Sequence, residues 1–214
     1  MNFAGDASPM ASAPAHRAGK TTAPRLTRED WLNAAFRAAI EGGFGAVKVL
    51  LLADTLGVTR GSFYWHFADH AELVRALIDR WYARELALDE RLASPASTDA
   101  ATSILAILDN AIAYSSQNRD NDRFEQALRS LASKDHSVAQ LLENVDRERL
   151  RTLRTHYLRL TGDAATARDL SALLYLAVVG SNEALNRPSA DAKMAEYLKS
   201  IIARHLVQSF KTKA

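Results

Sequence analysis

Apolar residues recur three or four positions apart along most of this chain, which is the period of amphipathic helices. No stretch alternates apolar and polar residues as a half-buried strand does. The first helix is predicted to begin after Thr27, because a hydroxyl residue followed by Asp30 forms a capping box, and to end at Gly42 and Gly43. The pattern predicts an all-α fold of about nine helices.

Two short helices separated by a tight turn are predicted next. Leu52 and Leu56 share the buried face of the first, and Gly57 ends it. Thr59 is predicted to cap the second, which runs to Phe67. Two short helices joined by a few residues with glycine in the turn form a helix-turn-helix.

The rest of the chain is also predicted to be helical, with helices over residues 69–93, 98–116, 122–133, 137–160, 166–185 and 190–210. The charged run from Asp146 to Arg154 is interpreted as a solvated helix face. Residues 1–24 are rich in Ala, Ser, Pro and Gly and are predicted to be a mobile tail. Arg17, Lys20 and Arg25 make its end basic, and a solvated leader is favoured over an arm that touches DNA.

Composition excludes several classes of protein. The 214 residues include no cysteine, so disulfides, thiolate zinc sites and cysteine nucleophiles are excluded. The longest apolar stretch, Ala172–Val179, is too short to span a bilayer, and no signal peptide opens the chain, so a cytoplasmic protein is expected. A net charge of +2 argues for no particular partner, and any binding of nucleic acid must rely on local charge.

No catalytic or metal site is predicted. The sequence lacks a glycine-rich phosphate loop, a Gly-x-Ser-x-Gly elbow and a His-Glu-x-x-His motif, so we do not expect an enzyme or a cofactor. His66 and His70 are four residues apart, but Ala68 and Asp69 are predicted to break the helix between them and no third ligand is near.

The second helix of the helix-turn-helix carries side chains suited to DNA. A recognition helix presents its N-terminal residues to base edges, and here these are Thr59, Arg60, Gly61 and Ser62. Arg60 can donate two hydrogen bonds to guanine, and Gly61 allows a close backbone approach. The candidate backbone contacts are Lys48, Tyr64, Trp65, His66 and His70. For Trp65, packing on a neighbouring helix is an equal alternative.

Thr27 to about Val74 resembles the DNA-binding domain of the TetR family of bacterial transcriptional regulators. The match is carried by Leu56-Gly57-Val58-Thr59 and by Gly61-Ser62-Phe63-Tyr64-Trp65-His66-Phe67. The resemblance implies base contacts from residues 59–62 and backbone contacts from residues 64–66. It also implies a homodimer that binds a near-palindromic operator, usually as a repressor, and leaves it when a small molecule binds the C-terminal domain.

Two departures from the family pattern stand out. His70 replaces a lysine that often contacts phosphate at the start of the fourth helix, which predicts a weaker or pH-dependent contact. Leu50 and Leu51 stand where polar residues are usual, and the helical register turns both outward.

The resemblance divides the chain into the tail, a helix-turn-helix domain over residues 25–70, and a ligand-binding and dimerisation domain over residues 71–214. The candidates for an effector cavity are Tyr114, Gln117, Phe124, His156, Tyr157, Tyr175 and Asn182. The candidates for the dimer interface are Ala177, Gly180, Ser181, Ala184, Tyr197, Leu198, Ile201 and Ile202. A regulator controlled by a protein partner, or an all-helical enzyme, is the alternative.

Overall fold

The computed structural model describes residues 26–93, 99–112, 116–187 and 189–211, without the side chains of residues 116–118 and 211. Within these ranges the chain is helical and has no strand, which confirms the predicted fold class. The predicted tail lies outside the described residues. No helix in the described ranges has the length and apolar character needed to cross a membrane.

The described helices are α1 (Arg28–Gly42), α2 (Val49–Thr55), α3 (Arg60–Phe63), α4 (His70–Ala93), α5 (Ala100–Ala111), α6 (Ser116–Ala132), α7 (His136–Thr161), α8 (Ala164–Leu185) and α9 (Ala192–Ala203). A π-helical stretch, Arg204–Gln208, continues α9 into a last turn, Ser209–Lys211. Helix α6 begins six residues before its predicted start at residue 122.

Local capping residues fix several helix starts. Thr27 and Asp30 form the predicted capping box: the Asp30 amide donates to Thr27 Oγ1 at 3.3 Å, and the Thr27 amide donates to Asp30 Oδ2 at 2.7 Å. Asp69 accepts from the Glu72 amide at 2.7 Å at the start of α4. These bonds satisfy amide groups that a helix leaves unpaired at its first turn.

The first hydrophobic core joins the N-terminal helices to α6 and α7. Trp31, Phe63, Leu77 and Phe124 are fully buried in it, and Phe63 meets the Trp31 ring edge-on at a centroid distance of 5.3 Å. The N-terminal helices therefore share their core with helices beyond residue 70, where the sequence places a domain boundary.

A second core is formed by α5, α7, α8 and α9. Tyr157 is fully buried there, and its hydroxyl donates to the Leu206 carbonyl at 3.0 Å. This bond holds α7 against the π-helical stretch that follows α9.

The interpretation of residues 146–154 as a solvated face is wrong in part. Arg149 turns inward and donates to Glu85 at 2.7 Å and to Glu125 at 2.9 Å. Arg151 faces solvent and pairs with Glu148, as a surface helix pair does. The charge pattern alone could not reveal the difference, because the carboxylates that hold Arg149 lie on α4 and α6.

Candidate nucleic-acid interface and effector cavity

Helices α2 and α3 are joined by a turn that depends on Gly57. Its φ of 67° lies in the left-handed region that glycine adopts without strain. The following amide, of Val58, donates back to the Ala53 carbonyl at 3.0 Å. The chain therefore turns over Leu56–Thr59 and brings α3 into contact with α2, in which the small side chain of Ala53 is buried.

Helix α3 is shorter than predicted. It ends at Phe63, and the next residues continue in tight turns in which the His66 amide donates to the Phe63 carbonyl at 2.9 Å. Thr59 occupies the N-cap position but makes no side-chain capping bond. The stacked rings of Phe63 and Phe67, 5.5 Å apart, anchor this tight segment to the core.

The N-terminal end of α3 faces solvent. Thr59, Arg60 and Gly61 are exposed and Ser62 is partly buried. A Cβ added at Gly61 would meet only Thr59 Oγ1, at an ordinary 3.7 Å. Packing within the fold thus does not require glycine at position 61, and its backbone lies exposed to solvent.

Tyr64 and Trp65 project from the end of α3. Tyr64 is half exposed, and its hydroxyl lies 3.2 Å from an Arg60 guanidinium nitrogen that donates to it. Trp65 is 81% exposed, so packing against a neighbouring helix within the chain is excluded for it. His66 is partly buried.

At and just after its N-terminus, helix α2 exposes one cation and two leucines. Lys48 is exposed at the N-cap position of α2. Leu50 and Leu51 are exposed as the helical register predicts. Neither leucine belongs to a described hydrophobic core.

His70 has a structural bond that the sequence did not reveal. Its Nε2 donates to the Val47 carbonyl at 2.6 Å, which ties the start of α4 to the start of α2. A contact with phosphate through this nitrogen would break that bond. Among the described residues, no group of three or more His, Asp or Glu side chains is arranged to hold a metal ion.

A cavity of about 260 Å³ lies among α4, α5, α6, α7 and α8. Leu88 and Leu92 of α4 and Ile107 and Leu108 of α5 give it apolar walls. Its polar lining includes Glu85, Asp89, Asn121, Asp122, Glu125, Arg129, Arg149, Thr152, Tyr175 and Asn182.

Two arginines neutralise part of the acidic lining. Arg149 joins Glu85 and Glu125, while Arg129 donates to Glu125 at 2.7 Å and to Asp146 at 2.7 Å. Burial alone would raise the pKa of Glu125, but the charge of Arg149 and its hydrogen bonds outweigh burial and lower this pKa.

Two other carboxyl groups lack such partners. Burial, together with the nearby charge of Glu125, raises the pKa of Asp122 to about 7. Burial likewise raises the pKa of Asp89 to about 6, against the opposing charge of Arg149. No ion pair to either carboxyl is present among the described residues.

The structure brings two of the predicted effector residues, Tyr175 and Asn182, to the cavity. Phe124 lies in the first core instead, stacked on Phe36 at 5.0 Å. Tyr157 lies in the second core, and His156 donates from Nε2 to the Leu92 carbonyl at 3.0 Å. Tyr114 and the side chain of Gln117 lie outside the described residues.

The acidic lining was missed because its members lie on several helices and resemble ordinary surface acids in sequence. The spacing of Asn121, Asp122 and Glu125 along α6 is the one available signal, since it places three polar residues on adjoining faces.

The predicted dimer residues divide into buried and exposed sets. Ser181 and Ile202 are buried within the chain. Gly180 and Tyr197 are exposed, and Ala177, Ala184, Leu198 and Ile201 are partly buried. Leu173 and Leu176, which were not predicted, are exposed on the same side of α8 as Ala177 and Gly180.

Residues 32–77 match the family model described as bacterial regulatory proteins, tetR family. Two curated relatives, the HTH-type transcriptional regulator TtgR and the probable HTH-type transcriptional regulator ArpR, both of Pseudomonas putida, are each 45% identical over 53 residues. That match spans 25% of this chain and 25% of each relative.

The fold is similar to solved structures over a longer stretch. A transcriptional regulator from Rhodococcus sp. Rha1 has a TM-score of 0.67 at 21% identity, covering 86% of this chain and 97% of that one. A TetR transcription regulator from Haloarcula marismortui has a TM-score of 0.68 at 16% identity, covering 85% of this chain and 96% of that one. A transcriptional regulator from Saccharomonospora viridis, solved in complex with choline, has a TM-score of 0.65 at 17% identity, covering 83% of this chain and 96% of that one.

Proposed function

This chain belongs, through its helix-turn-helix domain, to the tetR family of bacterial regulatory proteins, and we propose that it is a sequence-specific DNA-binding transcriptional regulator. It works as a homodimeric repressor that leaves a palindromic operator when a small molecule binds the cavity. The observation that carries this proposal is the exposed start of α3, where Arg60 and Gly61 stand free of the core.

Recognition of DNA is assigned to Thr59, Arg60, Gly61 and Ser62. Arg60 offers the fork of donors that fits guanine O6 and N7 in the major groove. Its exposed bond to the Tyr64 hydroxyl, at 3.2 Å, is one that the guanidinium can exchange for a base.

Contacts to the DNA backbone are assigned to Lys48, Tyr64, Trp65 and His66. The exposed Lys48 ammonium and the Tyr64 hydroxyl can donate to phosphate oxygens. The exposed Trp65 ring can pack on sugar or unstacked base, which is a reason for so large an apolar side chain to face water.

Dimerisation is assigned to the outer faces of α8 and α9. Leu173, Leu176, Ala177 and Gly180 follow helical spacing along α8, and Tyr197 lies on α9. Pairing of both helices with a second copy would cover this apolar surface at the size of a stable interface, about 2,000 Å² or more.

Two helices join the cavity to the DNA-binding face. Helix α4 carries Leu77 in the first core and Glu85 at the cavity. On α6, Asp120 accepts from Arg37 of α1 at 2.7 Å, next to the cavity residues Asn121 and Asp122. A ligand that moves either helix therefore changes the separation of the two α3 helices in a dimer, which must match about one turn of DNA, roughly 34–36 Å.

Effector control is favoured over control by a protein partner because a cavity of about 260 Å³ lies among the C-terminal helices. The choline complex of the Saccharomonospora viridis neighbour also supports a small-molecule site in this architecture. An enzyme is a weaker alternative, because the sequence carries no glycine-rich phosphate loop, no Gly-x-Ser-x-Gly elbow and no His-Glu-x-x-His motif.

The test is binding of the purified full chain to a labelled fragment from upstream of its own gene, at two salt concentrations. We expect nanomolar, salt-sensitive binding of a dimer. Tyr64→Ala should weaken binding to every sequence, whereas Arg60→Ala should relax discrimination at one base pair by about 1–3 kcal/mol.

Arg168→Ala is the matched control, since Arg168 is an exposed arginine on α8 that pairs with its neighbour Asp169, far along the chain from α3. It should bind like the unaltered chain. Equal loss of affinity in Arg60→Ala and Arg168→Ala would contradict the assignment of α3 as the reading element.

A further inference from the structure

The side chains that line the cavity limit the chemical class of ligand that it can bind. The inference drawn from them rests on the proposed function. We propose that it binds a small organic cation with N–H donors and a hydrocarbon body, a primary alkylamine or alkyldiamine. The inference follows from which polar atoms in the cavity lack partners, how the charges are arranged, and what forms the walls.

Three oxygen atoms of the lining are buried without a hydrogen-bond partner among the described residues: Asp89 Oδ2, Asn121 Oδ1 and Thr152 Oγ1. Thr152 is only 5% exposed. Buried polar atoms are rarely left unpaired, because each costs free energy when it loses water. The amide oxygen of Asn121 and the ionised carboxylate of Asp89 can only accept, and the Thr152 hydroxyl can accept as well as donate, so a group with several N–H donors would satisfy all three.

The two inward cations of the lining, Arg129 and Arg149, are not available to an anion. Arg149 donates to Glu85 and Glu125 through both terminal nitrogens, and Arg129 donates to Glu125 and Asp146. Four inward carboxyl groups, those of Glu85, Asp89, Asp122 and Glu125, thus face two guanidinium groups that are already paired. Arg84 and Arg91 are exposed at the edge of the cavity.

Asp89 and Asp122 are the carboxyls that a bound cation would serve. Both lie outside the ion pairs of the described residues, and Asp122 accepts a bond of 3.3 Å from Asn182. An ammonium group beside them would supply the positive charge that neither carboxyl has as a partner. It would therefore favour their ionised forms. Two such carboxyls allow one amine or the two ends of a diamine.

The apolar walls and the volume of the cavity indicate the character and size of the rest of the ligand. Leu88, Leu92, Ile107, Leu153 and Val178 offer hydrocarbon contacts rather than further polar groups. A volume of about 260 Å³ is the space of roughly nine water molecules. A chain of about six carbons with one or two amino groups is of that size.

The proposal is tested by calorimetric titration of the full-length protein at pH 8 with hexylamine, 1,6-diaminohexane, hexan-1-ol, hexanoate and choline. These probes separate charge, N–H donors and hydrocarbon body. We expect one or both amines to bind at least tenfold more tightly than hexan-1-ol and choline, and hexanoate not to bind. Absence of amine binding, or binding of hexan-1-ol or hexanoate as tight as the amines, would overturn the proposal.

Variants localise the site. Asp89→Asn, Asp122→Asn and Thr152→Val should each weaken the better amine at least fivefold and leave hexan-1-ol unchanged. Glu90→Gln is the matched control, because Glu90 is an exposed acid next to Asp89 that does not line the cavity. Equal loss in Glu90→Gln and Asp89→Asn would place the amine elsewhere. The comparison of probes on the unaltered chain stands even if a variant does not fold.

Failure of this inference can be told from failure of the proposed function, because calorimetry is done without DNA. Amine binding without any effect on operator affinity would uphold the ligand class and contradict effector control. Release of the operator by a ligand of another class, without amine binding, would uphold effector control and contradict the amine as ligand.

Discussion

The two halves of α4 serve different purposes. Its first half places Leu73, Leu77 and Trp81 one turn apart in the first core, where all three are buried among the helices of the helix-turn-helix domain. Its second half places Glu85 and Asp89 at the cavity. One half is held by packing, and the other by buried charges that are only partly neutralised.

Under the proposed function, this difference would let one element both support the DNA-reading surface and contact a ligand. Packed apolar contacts resist displacement, so the first half moves as a unit with α1 and α3. Arg80 strengthens this attachment by donating to Asn33 Oδ1 at 2.9 Å and to the Leu32 carbonyl at 3.3 Å. Unpaired polar groups in the second half can instead form hydrogen bonds with a ligand, and these bonds would stabilise the complex.

The largest effect should follow from damage to the packed half. Leu77→Ala removes a fully buried side chain and should lower the free energy of unfolding by about 2–5 kcal/mol, measured by urea denaturation. Leu50→Ala is the same substitution at an exposed position and should change it by less than about 0.5 kcal/mol. Similar losses in the two variants would contradict the burial described for α4.

The cavity should respond to pH, through Asp122 of α6, in the opposite sense to most acidic groups. Because burial raises the pKa of Asp122 to about 7, from 3.8, the folded chain holds a proton there that the unfolded chain releases. The stability that Asp122 contributes is present below about pH 4 and is lost as pH rises through about 7.

Asp122→Asn should therefore stabilise the protein at pH 8 relative to the unaltered chain, and by less at pH 5. The shift of about three pKa units sets an upper limit of about 4 kcal/mol. Urea denaturation across this range measures the difference. Asp79→Asn, at an exposed position of α4, is the control. A benefit of Asp122→Asn that stays constant from pH 5 to pH 8 would contradict the raised pKa.

The reading surface can be separated from the fold with two glycines. Gly61→Ala adds a methyl group that the chain itself accommodates, so unfolding should be unchanged while affinity for DNA falls about tenfold, or 1.4 kcal/mol. Gly45→Ala, where an added Cβ meets nothing within 4 Å, should leave affinity unchanged. Fluorescence anisotropy with operator DNA measures both, and equal affinities would remove Gly61 from the interface.

The smallest effect on stability is expected at Trp65. Because this side chain is largely exposed, Trp65→Ala should change the free energy of unfolding by less than about 0.5 kcal/mol. It should nevertheless weaken binding to specific and unrelated DNA alike, since a ring on the sugar-phosphate backbone carries no sequence information. A loss confined to one sequence would instead make Trp65 a base contact.

The contrast between the packed half of α4 and the cavity also explains which features could be predicted from the sequence. The turn at Gly57, the capping box at Thr27 and the buried face of α4 depend on residues a few positions apart, so local periodicity predicts them. The early end of α3 at Phe63 was not predicted, because the stacking of Phe63 on Phe67 that tightens the chain depends on the core beneath it.

The cavity could not be predicted in the same way, because it depends on pairings across the fold. Arg149 meets Glu85 across 64 positions of sequence and Glu125 across 24. Aromatic character selected Phe124 as a cavity residue, yet its ring stacks in the first core, since an aromatic side chain fills a core as readily as it lines a pocket.

The most direct test of the central claim is a selection of DNA from a random-sequence pool by the full chain. The account predicts enrichment of a two-fold symmetric sequence whose half-sites are centred about 10 base pairs, or a multiple of this, apart. Arg60→Ala should lose preference at one position in each half-site. Recovery of no enriched sequence by the unaltered protein, under low-salt conditions that favour binding, would contradict the account.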